Sequence, residues 1–217
     1  MARHSLTTTA AFTVAATLLL SGCGGGDDTS SGGIKGADQG SNSPSANASS
    51  SAKTPSGVKR PAVVLPSSFD LTFEKWTDED PVKQAALDDG KEQLRAGYAA
   101  IIANETQSKA LTFYNTRESL FQVQQWIRSY TDKNLTVMGK LPVFDPKVTI
   151  SSTRTSAALS YCTDESKAYS KQRKTGDVAG NPAGTDPKIF YLISLAKNAQ
   201  GVWQTVSAQS ERGGCSQ

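Results

Sequence analysis

The stretch Glu118-Ser119-Leu120-Phe121-Gln122-Val123-Gln124-Gln125-Trp126-Ile127-Arg128-Ser129-Tyr130 is followed closely by Leu135-Thr136-Val137-Met138-Gly139-Lys140-Leu141-Pro142-Val143-Phe144. Between the two the apolar period changes. Leu120, Val123, Ile127 and Tyr130 recur every three or four residues, with Phe121 and Trp126 beside them, which predicts an amphipathic helix. Asn115 and Glu118 have the spacing of a capping box and set its start; its end falls near Lys133-Asn134. From Leu135 onward the alternation has a period of two, the signature of a half-buried strand.

Upstream, Asp80-Pro81 is a helix start: a carboxylate at the cap and proline at the first helical position, where no amide hydrogen is needed. Leu87, Leu94, Tyr98, Ile101 and Ile102 then keep helical spacing to about Asn104, with Gly90 and Gly97 as weak points or sites of close packing. Before this helix, Phe69, Leu71 and Phe73 alternate as a short strand or extended arm. Downstream, strands are expected over residues 135–144, ending at Pro146, then 147–152 and 155–163. A polar loop rich in glycine and proline should run from Asp164 to Pro187. Residues 189–197 and 202–209 form a hairpin through Asn198-Ala199-Gln200-Gly201. Two main N-terminal helices followed by antiparallel strands give an α+β domain, with the helices against one face of a sheet.

The chain start has different physics. Arg3 and His4 precede an apolar run ending in Leu18-Leu19-Leu20, too short to span a bilayer and read as a signal peptide over residues 1–22. Leu20-Ser21-Gly22-Cys23 resembles the lipobox of bacterial lipoproteins. Small side chains give a peptidase access, and the Cys23 thiol takes a diacylglyceryl group. The expectation is a palmitate-type lipid anchor on the extracytoplasmic face of the cell membrane, since two buried acyl chains suffice for stable attachment. A plain secretory signal cut near Cys23 is the alternative. Residues 23–60 are Gly/Ser-rich and nearly devoid of apolar side chains, as expected of a disordered tether before the domain at 61–217.

Composition excludes several chemistries. The whole chain carries +3; losing Arg3 with the leader takes 23 basic residues to 22 against 20 acidic, a net +2. With no basic block and an exported location, nucleic acid is not an expected partner. The only histidine, His4, lies in the leader, which removes Ser-His and Cys-His nucleophiles and imidazole metal sites from the rest. No metal or cofactor is expected. Cys162 and Cys215 remain as an even pair in an oxidising setting, read as one disulfide, with two buried thiols as the alternative.

Asp80-Pro81-Val82 at the opening of the first helix and Phe113-Tyr114 ahead of the next helix resemble the NTF2-like (cystatin-like cone) fold. The stretches Ala157-Ala158-Leu159-Ser160-Tyr161-Cys162-Thr163-Asp164-Glu165-Ser166-Lys167 and Gly201-Val202-Trp203 through Cys215 are similar to actinobacterial NTF2-like lipoproteins and secreted proteins. The resemblance covers residues 66–217. It implies a curved sheet closed by helices around a pocket, and names no chemistry.

Tyr98, Tyr114, Trp126, Tyr130, Tyr161, Tyr191 and Trp203 are the candidate pocket residues, against the plainer reading that they fill the core. Catalysis in such a cone pairs a buried Asp with a Tyr; Asp145 and Asp164 are the acids near strand ends, and both are also good turn residues. The run from Glu165 to Lys174 concentrates positive charge that could meet anionic wall polymer or headgroups, or simply face solvent. The leading expectation is a non-catalytic extracytoplasmic module binding a ligand or a protein. The rivals are an enzyme with Asp/Tyr chemistry and a structural envelope component acting as a homodimer.

Overall fold

A computed structural model describes residues 57–215 of the chain. The expected leader, Leu20, Ser21, Gly22, Cys23 and most of the tether lie outside the described residues. The described residues begin inside the segment read as tether, where Arg60 is tied to the buried carboxylate of Asp89 at 2.7 Å.

Strand β1 (Phe69–Phe73) precedes helix α1 (Pro81–Ala103). The first turn of α1 forms as its residues dictate: Asp80 Oδ1 accepts from the Val82 amide at 2.8 Å, and Pro81 sits where its missing N–H costs nothing. The far end closes at Asn104 in the left-handed conformation, φ 60°. Both glycines of α1 mark close approaches. A Cβ on Gly90 would lie 2.7 Å from Leu159, and one on Gly97 would lie 2.7 Å from the Trp126 ring.

Two helices follow α1. Helix α2 (Lys109–Tyr114), capped by Ser108, was not expected from the apolar pattern, being too short to show a period. Helix α3 (Arg117–Thr131) starts one residue later than the capping-box reading placed it, with Thr116 as its cap. Asn115 is buried in an extended conformation at the end of α2, and its side-chain amide donates to the Leu111 carbonyl at 2.9 Å. That bond and burial take Asn115 away from the α3 amides.

The sheet departs from the expected pattern in two places. Residues 135–150 form one strand, β2 (Leu135–Ile150), instead of two. Pro146 does not end it because the register shifts there: a bulge between Phe144 and Lys147, with Asp145 at φ 51°, absorbs the missing donor. After β3 (Ser156–Asp164), the expected polar loop contains β4 (Lys167–Gln172) and the short β5 (Val178–Ala179). Lys167, Tyr169 and Lys171 show no apolar alternation, so β4 is held by backbone pairing to residues 135–140 of β2. The hairpin of β6 (Lys188–Lys197) and β7 (Trp203–Arg212) forms where expected.

The strand order is β5-β4-β2-β3-β6-β7, antiparallel throughout, with β1 added parallel to the middle of β2. The three helices lie against one face of this curled sheet, and the core between them is built from Leu87, Ile101, Leu111, Ile127, Leu141 and Leu159. This is the α+β cone that the sequence resemblance implied. Cys162 and Cys215 are bonded, with Cα atoms 6.0 Å apart, fastening the chain beyond β7 back to β3.

Candidate functional site

Where α1 and α3 pass over β3, β6 and β7 they leave a cavity of about 310 Å³. Its aromatic wall comes from four elements. Tyr161 on β3 and Tyr191 on β6 are direct cross-strand partners, and their rings stack with centroids 5.1 Å apart and planes 18° from parallel. Tyr98 of α1 meets Trp126 of α3 edge to face at 5.2 Å, an approach that Gly97 permits. Leu94, Val123 and Ile193 complete the apolar surface. The mouth lies between Gln122 of α3 and residues 208–210 of β7, all exposed.

The opposite end is polar and uncharged. Asn115, Ser119 and Thr205 are buried where the α2–α3 junction crosses β7, and all three line the cavity. The Thr116 amide donates to the Thr205 carbonyl at 2.9 Å, and Ser119 Oγ donates to the same oxygen at 2.5 Å. Gln93 Nε2 donates to Asn115 Oδ1 at 3.4 Å. No Asp, Glu, Lys, Arg or His is among the described residues that line the cavity.

The candidate aromatics divide between the two readings. Tyr98, Trp126, Tyr161 and Tyr191 line this cavity. Tyr130 lies on a smaller one of about 90 Å³ on the other side of Tyr98, with Glu165. Tyr114 and Trp203 are core residues, fully buried away from the cavity; Trp203 lies under Lys197, whose Nζ sits 5.7 Å from its ring centroid. Burial holds the cavity phenols neutral: Tyr191 is pushed up to about 12, and the phenols of Tyr98 and Tyr161 are raised by the same loss of hydration.

Neither candidate acid reaches the cavity. Asp145 is exposed in the β2 bulge, and Asp164 accepts from the Ser166 amide at 2.8 Å as an ordinary turn acid. The basic run is partly structural: Arg173 donates to the Ile101 and Ile102 carbonyls, setting a cation on the C-terminus of α1. Sequence reading missed Asp89, whose carboxylate is wholly buried. The signal was there, since Asp89 falls between Ala86 and Gln93 on the buried face of α1. Among the described residues no three acidic, cysteine or histidine side chains gather as a metal site, and no helix is long and apolar enough to cross a membrane.

No family model and no curated protein matches the chain. Solved structures with a related outline exist. The intermembrane-space region of the chloroplast protein ARC6 superposes with a TM-score of 0.44 at 9% identity, over 60% of this chain and 96% of that one. A ketosteroid isomerase-like protein from Erwinia carotovora atroseptica gives 0.38 at 16% identity, over 62% and 95%. A protein from Catenulispora acidiphila gives 0.40 at 10%, over 59% and 93%. Scores this low bear on neither activity nor partner. The cone stands on the strand order and helix placement described above.

Proposed function

We propose that this chain is a surface-anchored lipoprotein, attached through Cys23 and a tether, whose cone domain binds a small ligand without transforming it. One observation carries the binding half: a cavity of about 310 Å³ with an aromatic wall and no charged group or imidazole among its lining residues. That size and composition suit a small-molecule site, which is concave, mostly apolar and furnished with a few convergent polar groups. General acid–base work needs a group that exchanges protons near neutral pH, and the cavity's only titratable side chains are phenols held neutral by burial.

The anchor half rests on the spacing of Leu20-Ser21-Gly22-Cys23 after an apolar run. Replacing Cys23 with Ser should move the protein from the membrane fraction to the medium; continued membrane association contradicts the anchor. For the cavity, a neutral solvatochromic dye such as Nile red should brighten on binding the wild-type protein. Val123→Trp, which fills the space from α3, should abolish that response. Equal brightening by both proteins contradicts a site in the cone.

A further inference from the structure

We propose that the polar end of the cavity selects an uncharged ring compound carrying a hydroxyl or carbonyl oxygen, and that Thr205 Oγ1 is the group that reads that oxygen. The inference rests on the cavity being a ligand site and adds what the ligand must look like.

Thr205 is 3% exposed and lines the cavity, yet no protein group hydrogen-bonds its hydroxyl. The residue's structural work is done by its backbone, whose carbonyl takes the Thr116 amide and Ser119 Oγ. A buried hydroxyl without a partner lowers stability, and valine has nearly the same shape at that site. Several other buried polar atoms also lack protein partners, including Tyr114 Oη and Thr72 Oγ1, but Thr205 is the one of these residues that lines this cavity. Beside it, Asn115 Oδ1 accepts from Gln93, the one Ser119 hydroxyl hydrogen going to the Thr205 carbonyl, and one Nδ2 hydrogen of Asn115 goes to Leu111. That leaves the amide's other hydrogen and the threonine hydroxyl as the polar capacity at this end of the cavity. A carbonyl oxygen accepts from such groups; a hydroxyl accepts from one and donates to the other.

Charge is selected against by the same wall. A carboxylate entering here would lose its hydration, meet no counter-ion and face electron-rich rings. The stacked Tyr161–Tyr191 pair, with Trp126 and Tyr98 facing across α1 and α3, favours a flat ring over a flexible chain.

The test uses three probes with one ring system: naphthalene, 2-naphthol and 2-naphthoate, titrated at neutral pH against the emission of Trp126, the one tryptophan on the cavity. Naphthol should bind about five- to tenfold more tightly than naphthalene, the worth of one added hydrogen bond. Naphthoate should be weaker than naphthol by about a hundredfold or more. Thr205→Val should bring naphthol down to the level of naphthalene and leave naphthalene unchanged, while Thr205→Ser keeps the preference. Naphthoate binding as tightly as naphthol overturns the proposal, as does a T205V effect equal on naphthol and naphthalene. If all three bind alike, the cavity reading survives and this one falls. If none binds, both fall.

Discussion

The buried carboxylate of Asp89 accepts a hydrogen bond from the backbone N–H of Trp203 at 2.9 Å, across 114 residues of sequence. The same carboxylate receives Arg60 Nε at 2.7 Å and Nη2 at 3.2 Å. Helix α1, the start of β7 and the segment entering from the expected tether are therefore joined at one acid. Asp89→Ala leaves the Arg60 guanidinium and the Trp203 amide without that partner and should lower the unfolding free energy by about 3–5 kcal/mol. Urea denaturation measures it. A loss under about 1 kcal/mol would mean the ion pair does not hold these elements together.

Gly97 offers a sharper test of packing near the cavity. Alanine is the better helix former by about 1 kcal/mol, but here its methyl would lie 2.7 Å from the Trp126 ring. Overpacking typically costs about 1–3 kcal/mol. Gly97→Ala should therefore destabilise on balance and shift Trp126 emission. A gain in stability with unchanged emission would show that the ring moves aside freely.

Much of this architecture is legible in the residues. Asp80-Pro81 places the start of α1 because its cap chemistry is local, and the β6–β7 hairpin is visible through its alternation. What the residues hide depends on distant partners. Strand β4 has no apolar period to show, since its stability comes from pairing with β2. The continuity of β2 through Pro146 depends on a bulge that residue type does not announce. At the site, the four aromatics on the cavity wall stand out by type, while Asn115, Ser119 and Thr205 do not: they meet only when the α2–α3 junction crosses β7. Asn115 even misleads, as the apparent cap of α3.

High pH should destabilise the fold in a specific window. Burial raises the phenol groups of Tyr98, Tyr114, Tyr130, Tyr161 and Tyr191, Tyr191 to about 12. Unfolded tyrosines release protons near pH 10 while the folded ones retain them. The unfolded state then binds fewer protons, and stability falls as pH rises through about 10 to 12, by up to about 1.4 kcal/mol per pH unit for each such residue. Tyrosinate absorbance should therefore appear together with loss of helical circular dichroism. Full ionisation of Tyr98, Tyr114, Tyr130, Tyr161 and Tyr191 in a still-folded protein would contradict their burial.

The Cys162–Cys215 bond closes a segment with a sequence separation of 53. In the chain-entropy picture such a crosslink stabilises by roughly 4 kcal/mol. The double variant Cys162→Ser, Cys215→Ser should shift the urea midpoint down accordingly, and non-reducing peptide mapping of the native protein should recover the linked pair. Two free thiols in protein taken from the cell envelope would remove the crosslink from the account.

The central claim is that the cone holds an uncharged small molecule, and native mass spectrometry of protein gently extracted from its own membrane tests it most directly. The account predicts a bound, uncharged species of low mass on the wild-type chain that is missing from Val123→Trp. Wild-type protein without any such adduct, or an adduct that Val123→Trp retains undiminished, would contradict it.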